Sequence, residues 1–187
     1  MSQSKIILGI DPGTNLLGYA FIQVVNDSKP RIIAMDSLDM RKMTTHAVKL
    51  AHIFNELKRL IALYSPNEAA IEAPFYGKDV QAMLKLGRSM GAAMVAISVH
   101  DVPLTEYSPR SIKKAVTGNG NASKEQVSRM LPHIVEGTMN TRFADSSDAL
   151  GVAYCHYLQQ NSKGLGGKKY NDWSSYLKDN PDRKANF

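Results

Sequence analysis

Apolar residues at the start of the chain fall in blocks. Lys5 to Ile10 and Leu17 to Val25 are nearly continuous apolar runs joined across a Pro12-Gly13 turn, and Arg31 to Leu38 follows the polar turn Asn26-Asp27-Ser28-Lys29-Pro30. Short turns between such runs predict a meander of adjacent antiparallel strands. The period then changes. Ala47, Leu50, Ala51, Phe54, Leu57 and Ile61 recur at helical spacing after a Thr44/Thr45 cap, and Ser65-Pro66-Asn67 ends that helix. The stretch EAAIEAP predicts a fourth strand ending at Pro74.

From Lys78 to Val99 a long helical stretch sets Met83, Leu84, Leu86, Met90, Met94 and Val95 among Gly87, Gly91, Ala92, Ala93 and Ala96. Apolar and small residues cover more than one face, which predicts a helix covered on two sides, by its own sheet and by a partner. A short strand VPLTEY follows, and Ser108-Pro109 starts a helix through Val116. After the turn TGNGN, Ser123 and Gln126 have capping-box spacing for another short helix, and a last helix is expected from about Ala144 to Gln160. The sum is an α/β fold, a mixed five-stranded sheet flanked by helices with the meander at one side. The segment from Asn161 reads as a linker and tail, and no internal repeat is present.

Composition narrows the class. At 187 residues and 43% hydrophobic the chain is sized for one domain, residues 1–160, plus the tail 161–187. No apolar run reaches the roughly 18 residues of a membrane span, and the N-terminus lacks a signal-peptide pattern. Cys155 is the only cysteine, which excludes an internal disulfide framework or a thiolate-rich zinc site. The expected place is a prokaryotic cytoplasm, associated with the nucleoid. The net charge of +6 is concentrated: residues 108–129 hold Arg110, Lys113, Lys114, Lys124 and Arg129 against Glu125 alone, and the tail adds six Lys/Arg against three Asp. Such segments favour phosphates, though any one lysine also suits a solvated helix face.

Four acids stand out against this frame. Asp11 lies where the first strand ends and Glu72 where the fourth ends, and two parallel neighbouring strands would deliver both side chains to one sheet edge, where open α/β sheets place ligand sites. Asp145 and Asp148 share one face of the last helix. Gathered carboxylates repel one another unless a cation balances them. Mg²⁺ prefers such oxygen ligands, and two ions about 4 Å apart suit an in-line displacement at phosphorus. Simpler roles exist: Asp11 before Pro-Gly suits a turn, and Asp145 and Asp148 suit the positive end of a helix. Glu72 has no turn role.

The stretch GIDPGT is shared in outline with the phosphate-binding hairpin of the actin, sugar kinase and chaperone ATPases, but this chain is too short for two lobes and has no second copy. A closer likeness covers residues 5–158. The stretches GIDPGT…GYA, AIEAPFYGKDVQAMLKLGRSMGAAM, SPRSIKKAVTGNGNASKEQV and ADSSDALGVAYCH follow one another as in the RuvC family of crossover junction endonucleases, which this chain resembles. The resemblance implies an RNase H-like fold, a homodimer, and Mg²⁺-dependent symmetric nicking of four-way Holliday junctions in recombination and repair. Mn²⁺ is expected to substitute, with two ions per site and a branch-migration helicase complex as partner. Asp11, Glu72, Asp145 and Asp148 match the family's four metal-binding catalytic acids. Phe75 matches an aromatic that stacks on bases near the crossover, and packing in the core is its plainer role. Lys113 and Lys124 match backbone-contacting lysines, with Arg110 and Lys114 as further basic candidates; phosphate contacts by these would make binding strongly salt-dependent.

The Gly87, Gly91 and Ala92 helix corresponds to the family's dimer interface, where two-fold symmetry suits a roughly two-fold junction. Cys155 and His156 are expected to be packing residues. The tail, with Tyr170, Trp173, Tyr176 and Leu177 at helix-compatible spacing, departs from better-known members, with docking on the body, DNA contact, protein binding or disorder as its alternatives. Two other functions remain open at this point: a YqgF-type nuclease of the same fold acting on ribosomal RNA precursors, and a junction-binding protein without cleavage.

Overall fold

The computed structural model describes residues 4–26, 28–74, 79–139 and 144–164, with side chains described through Asn161. Its elements are β1 (Ser4–Asp11), β2 (Leu16–Val25), β3 (Arg31–Asp39), α1 (His46–Tyr64), β4 (Glu68–Glu72), α2 (Val80–Ser98), β5 (Leu104–Tyr107), α3 (Pro109–Thr117), α4 (Lys124–Ile134) and α5 (Ala144–Gly164). The strands form one sheet in the order β3-β2-β1-β4-β5. The meander pairs antiparallel, whereas β1–β4 and β4–β5 are parallel, so the sheet is mixed, as the sequence pattern predicts.

The helix starts follow from capping chemistry. The Thr45 hydroxyl accepts from the Val48 N–H, the Asp79 carboxylate from Ala82, and Ser108 from Ser111 with Pro109 in the first turn of α3. Ser123 and Gln126 form the expected reciprocal box at the head of α4. Each satisfies backbone donors that the helix itself leaves free. Helix α5 extends four residues beyond the expected Gln160.

Alternation along β1 decides what each helical layer meets. Leu8 and Ile10 join Phe21, Leu57, Ile61, Ile71, Ala93 and Ile97 beneath α1 and α2. Ile7 points the other way, into the layer formed with Ala20, Ile22, Leu131, Ala149 and Ala153 beneath α4 and α5. By the same period of two, Asp11 falls on the α5 face. In β4, Ala70 packs with Ile112, Val152 and Cys155, so Glu68 and Glu72 share that face too.

Helix α5 lies directly on the sheet because two strand positions have no side chain. A Cβ on Gly9 would run into the Ala149 carbonyl and the Ala153 backbone, and one on Gly18 into the Asp145 carbonyl. Gly18 pairs across the ladder with Asp11. The close approach of α5 and the placement of its acids are therefore one packing event.

Helix α2 has its inner side covered by the sheet and its outer side open. Ser89, Met90, Ala93, Ala96 and Ile97 are buried, but Val80, Leu84, Val95 and Val99 are 67%, 50%, 53% and 55% exposed, and nothing lies within 4 Å of a Cβ built on Gly87 or Gly91. Only the inner side is covered by the described residues. Cys155 is buried, and desolvation pushes its thiol up to about 11.

Substitution of Gly18 by Ala is expected to cost about 1–3 kcal/mol or more, because the added methyl meets backbone rather than a movable side chain. Gly91→Ala should be nearly neutral in the isolated chain. Denaturant titration of the two variants checks the contrast.

Candidate active site

Where β1 and β4 run out, their two acids open into one cleft. Asp11, Glu72 and Asp148 line it together with Pro109, Ile112 and Lys113 of α3 and with Lys124 and Val127 of α4, around a cavity of ≈ 90 Å³. Every element on this side of the sheet contributes: strand ends supply Asp11 and Glu72, the first turns of α5 supply Asp148, and the capped helices supply the lysines. A larger hollow of ≈ 600 Å³ lies at the opposite end of the strand pair, beside Lys5, Glu68 and Tyr157, and includes none of the four acids.

Electrostatics show that the carboxylates sense one another. Burial, then the negative charges of Glu72, Asp148 and Asp145, push the Asp11 carboxyl up to about 8 despite a pull from Lys124. Burial, then Asp148, push Glu72 to about 7 against Lys124 and Lys113. A carboxyl that holds its proton at neutral pH is one short of positive charge nearby. Lys124 provides part of that charge. Its ammonium lies 2.8 Å from Asp148 Oδ2, and this hydrogen bond, opposed by desolvation, raises the lysine's own proton affinity. Because the Lys124 side chain is 75% exposed, the pair adds little to stability.

The donor set is all oxygen and suits a hard divalent cation. Among the described residues, however, no group of three or more His, Cys, Asp or Glu side chains stands assembled to hold a metal ion. Asp11, Glu72 and Asp148 share the cleft with Lys124, whose ammonium is bonded to Asp148, so a cation taken up by Asp148 would compete with that lysine. Asp145 bears on Asp11 through its charge but does not line the cleft.

The remaining candidates divide. Lys113 and Lys124 line the cleft, whereas Arg110 and Lys114 are exposed on α3 outside its lining, and the Arg110 stem packs beside Gly120. Phe75 and the tail aromatics lie outside the described residues. His156 is buried as expected, but it is not mere packing: it hydrogen-bonds Tyr107 and Glu68. Sequence reading missed that cluster. The available signal was the even spacing of Glu68 from Glu72 and of Lys5 from Asp11, which puts all four on one sheet face.

A mixed sheet of this order, with acids at the ends of its first and fourth strands and on its last helix, defines an RNase H-like nuclease. Residues 7–156 match the family described as crossover junction endodeoxyribonuclease RuvC. Relatives of that name from Bacteroides fragilis and Cytophaga hutchinsonii are 48% and 47% identical, over 97% and 96% of this chain and 96% and 88% of theirs. T. thermophilus RuvC, solved in complex with Holliday junction substrate, superposes with a TM-score of 0.79 at 26% identity, covering 85% of this chain and 96% of that one. The chain belongs to the RuvC family of crossover junction endodeoxyribonucleases. These names do not favour the YqgF-type or non-cleaving alternatives. Coverage of 97% by the Bacteroides relative also extends into the tail, which is therefore no peculiarity of this chain.

A stability test follows from the raised carboxyls. Unfolded Asp and Glu ionise near pH 4. With folded values of about 8 and 7, the folded chain binds more protons than the unfolded one between these limits, so metal-free stability falls as pH rises through that window. The melting temperature without metal should drop between pH 5 and 8.5, and Asp11→Asn should flatten the decline. At pH 8 that variant should melt several degrees higher than the parent, at about 2–4 °C per kcal/mol. Differential scanning calorimetry in EDTA reads both.

Proposed function

We propose that this chain resolves Holliday junctions by hydrolysing phosphodiesters in two opposing strands, with the cleft of Asp11, Glu72 and Asp148 as the cutting site. The observation that carries the reading is the convergence of these acids from β1, β4 and α5, in a chain of the RuvC family. The Thermus relative bound to Holliday junction substrate supports the choice of DNA.

Mg²⁺ is the proposed cofactor, with Mn²⁺ as a substitute and two ions per site. A bound ion would supply Lewis acidity toward the scissile phosphate and activate water for attack. The chain's own groups do the rest. Asp11, Glu72, Asp148 and Asp145 are the proposed holders, and their crowding favours uptake of positive charge. Lys124 balances Asp148 before loading and is free to turn its ammonium to a DNA phosphate afterwards. Lys113, on the α3 wall, faces the same phosphate region, and Arg110 and Lys114 extend a basic track along α3. Phe75, three residues beyond Glu72, is proposed to stack on bases near the crossover.

A homodimer through α2 completes the reading. Val80, Leu84, Gly87, Gly91, Val95 and Val99 follow helical spacing along the uncovered side, and the open glycines allow a second helix to approach closely. An isologous pair would set two clefts on a roughly two-fold junction. Work alongside a branch-migration helicase complex in the cytoplasm, at the nucleoid, is proposed from family membership alone.

The test mixes the protein with labelled four-way junction or linear duplex, in Mg²⁺ or EDTA. Paired nicks confined to junction and Mg²⁺ are expected. Asp11→Asn should lower cutting by about 10³-fold or more with junction affinity retained; loss of affinity instead would refute its assignment. Leu84→Glu should shift the protein to monomer in sedimentation and abolish paired nicking.

A further inference from the structure

A second polar cluster, built around a buried histidine, lies on the same sheet face as the acids, away from their cleft. His156 is 1% exposed, with Nδ1 at 3.0 Å from the Tyr107 hydroxyl and Nε2 at 2.6 Å from Glu68 Oε2. The other Glu68 oxygen accepts from Lys5 Nζ at 2.5 Å. One chain of contacts thus joins β5, α5, β4 and β1.

The proton order along it follows from the partners. Burial opposes ionisation of Glu68, but the bonds from Lys5 and His156, with their charges, outweigh it and hold the carboxyl below its usual range. Glu68 is therefore an acceptor and Nε2–H donates to it. Nδ1 lies 3.0 Å from the hydroxyl of Tyr107, whose phenol burial pushes up to about 12, with Cys155 and Glu68 adding to the rise. Tyr107 is hydrogen-bonded to His156, and His156 donates to Glu68.

Tyr107 also touches the cutting site through its backbone. It pairs in register with Glu72, and its carbonyl accepts from the Ala73 N–H at 2.8 Å. The next residue, Ser108, caps α3, whose Pro109, Ile112 and Lys113 line the cleft. His156 lies two turns beyond Asp148 on α5. The phenol therefore spans from the strand register that carries Glu72 to the helix that carries Asp148. Hydrogen bonds of this kind add little net stability, since they replace bonds to water. Their geometric effect is large, because ligating groups tolerate only about 0.5 Å of misplacement.

We propose that Tyr107, anchored by His156 and Glu68, is a positioning residue that fixes the distance between Glu72 and Asp148 and so sets the site's grip on divalent metal. The inference rests on the cleft being the metal-dependent cutting site.

The test is Tyr107→Phe, which keeps the ring and removes only the hydroxyl. Mn²⁺ binding to the full chain without DNA, followed by electron paramagnetic resonance of the free ion, should weaken about threefold or more, and junction cutting in Mg²⁺ should slow about tenfold. Junction affinity in EDTA should match the parent. Glu68→Leu should reproduce the defect, whereas Glu68→Gln, whose amide oxygen still accepts from His156, should restore most of the Mn²⁺ affinity. A Tyr107→Phe protein with parental Mn²⁺ affinity overturns the proposal, whatever its melting temperature. If the parent binds Mn²⁺ but leaves junctions uncut, the cutting function fails, and the Mn²⁺ comparison still decides the positioning role.

Discussion

The contact on which the rest of this structure depends is backbone against backbone. Helix α5 rests on β1 and β2 at Gly9 and Gly18, where any side chain would occupy space held by the Ala149, Ala153 and Asp145 main chain. That seat brings Asp145 and Asp148 down to the level of Asp11, and it closes the layer in which Ile7, Ala20 and Ala153 pack. Folding energy and site geometry thus come from the same approach. A wider spacing would relieve the repulsion among the acids, but it would also open the core.

Holding carboxylates this close, partly out of water, has a cost that appears as protons retained on Asp11 and Glu72. The chain softens it with Lys124, an ammonium on a long exposed arm rather than a fixed buried partner. A rigid buried counter-ion would satisfy Asp148 and block any other cation. The arrangement resembles a balanced resting state, in which the acids are prepared for a stronger charge than the protein itself supplies.

Much of this was readable in the sequence because its causes are local. Thr45, Ser108 and Ser123 all cap helices, and the parallel neighbours β1 and β4 follow from a meander succeeded by a crossover helix. The shared cleft of Asp11, Glu72 and Asp148 followed from strand ends and helix face. Less legible was what depends on distance in three dimensions. Spacing alone made Asp145 and Asp148 equivalent, yet only Asp148 lines the cleft. The cluster of Lys5, Glu68, Tyr107 and His156 draws on four elements far apart in the chain, and His156 beside Cys155 in an apolar helix reads as packing until its partners are seen. Helix α2 showed its two apolar sides in sequence, but a single chain covers one.

Burial of Cys155 has a chemical consequence of its own. Peroxide, alkylating reagents and disulfide exchange act on an accessible thiolate, and this protein's single sulfhydryl is both sealed inside the sheet–helix layer and kept neutral. Thiol oxidants therefore have no handle on the folded molecule, and its DNA chemistry needs no reductant to keep a cysteine in order.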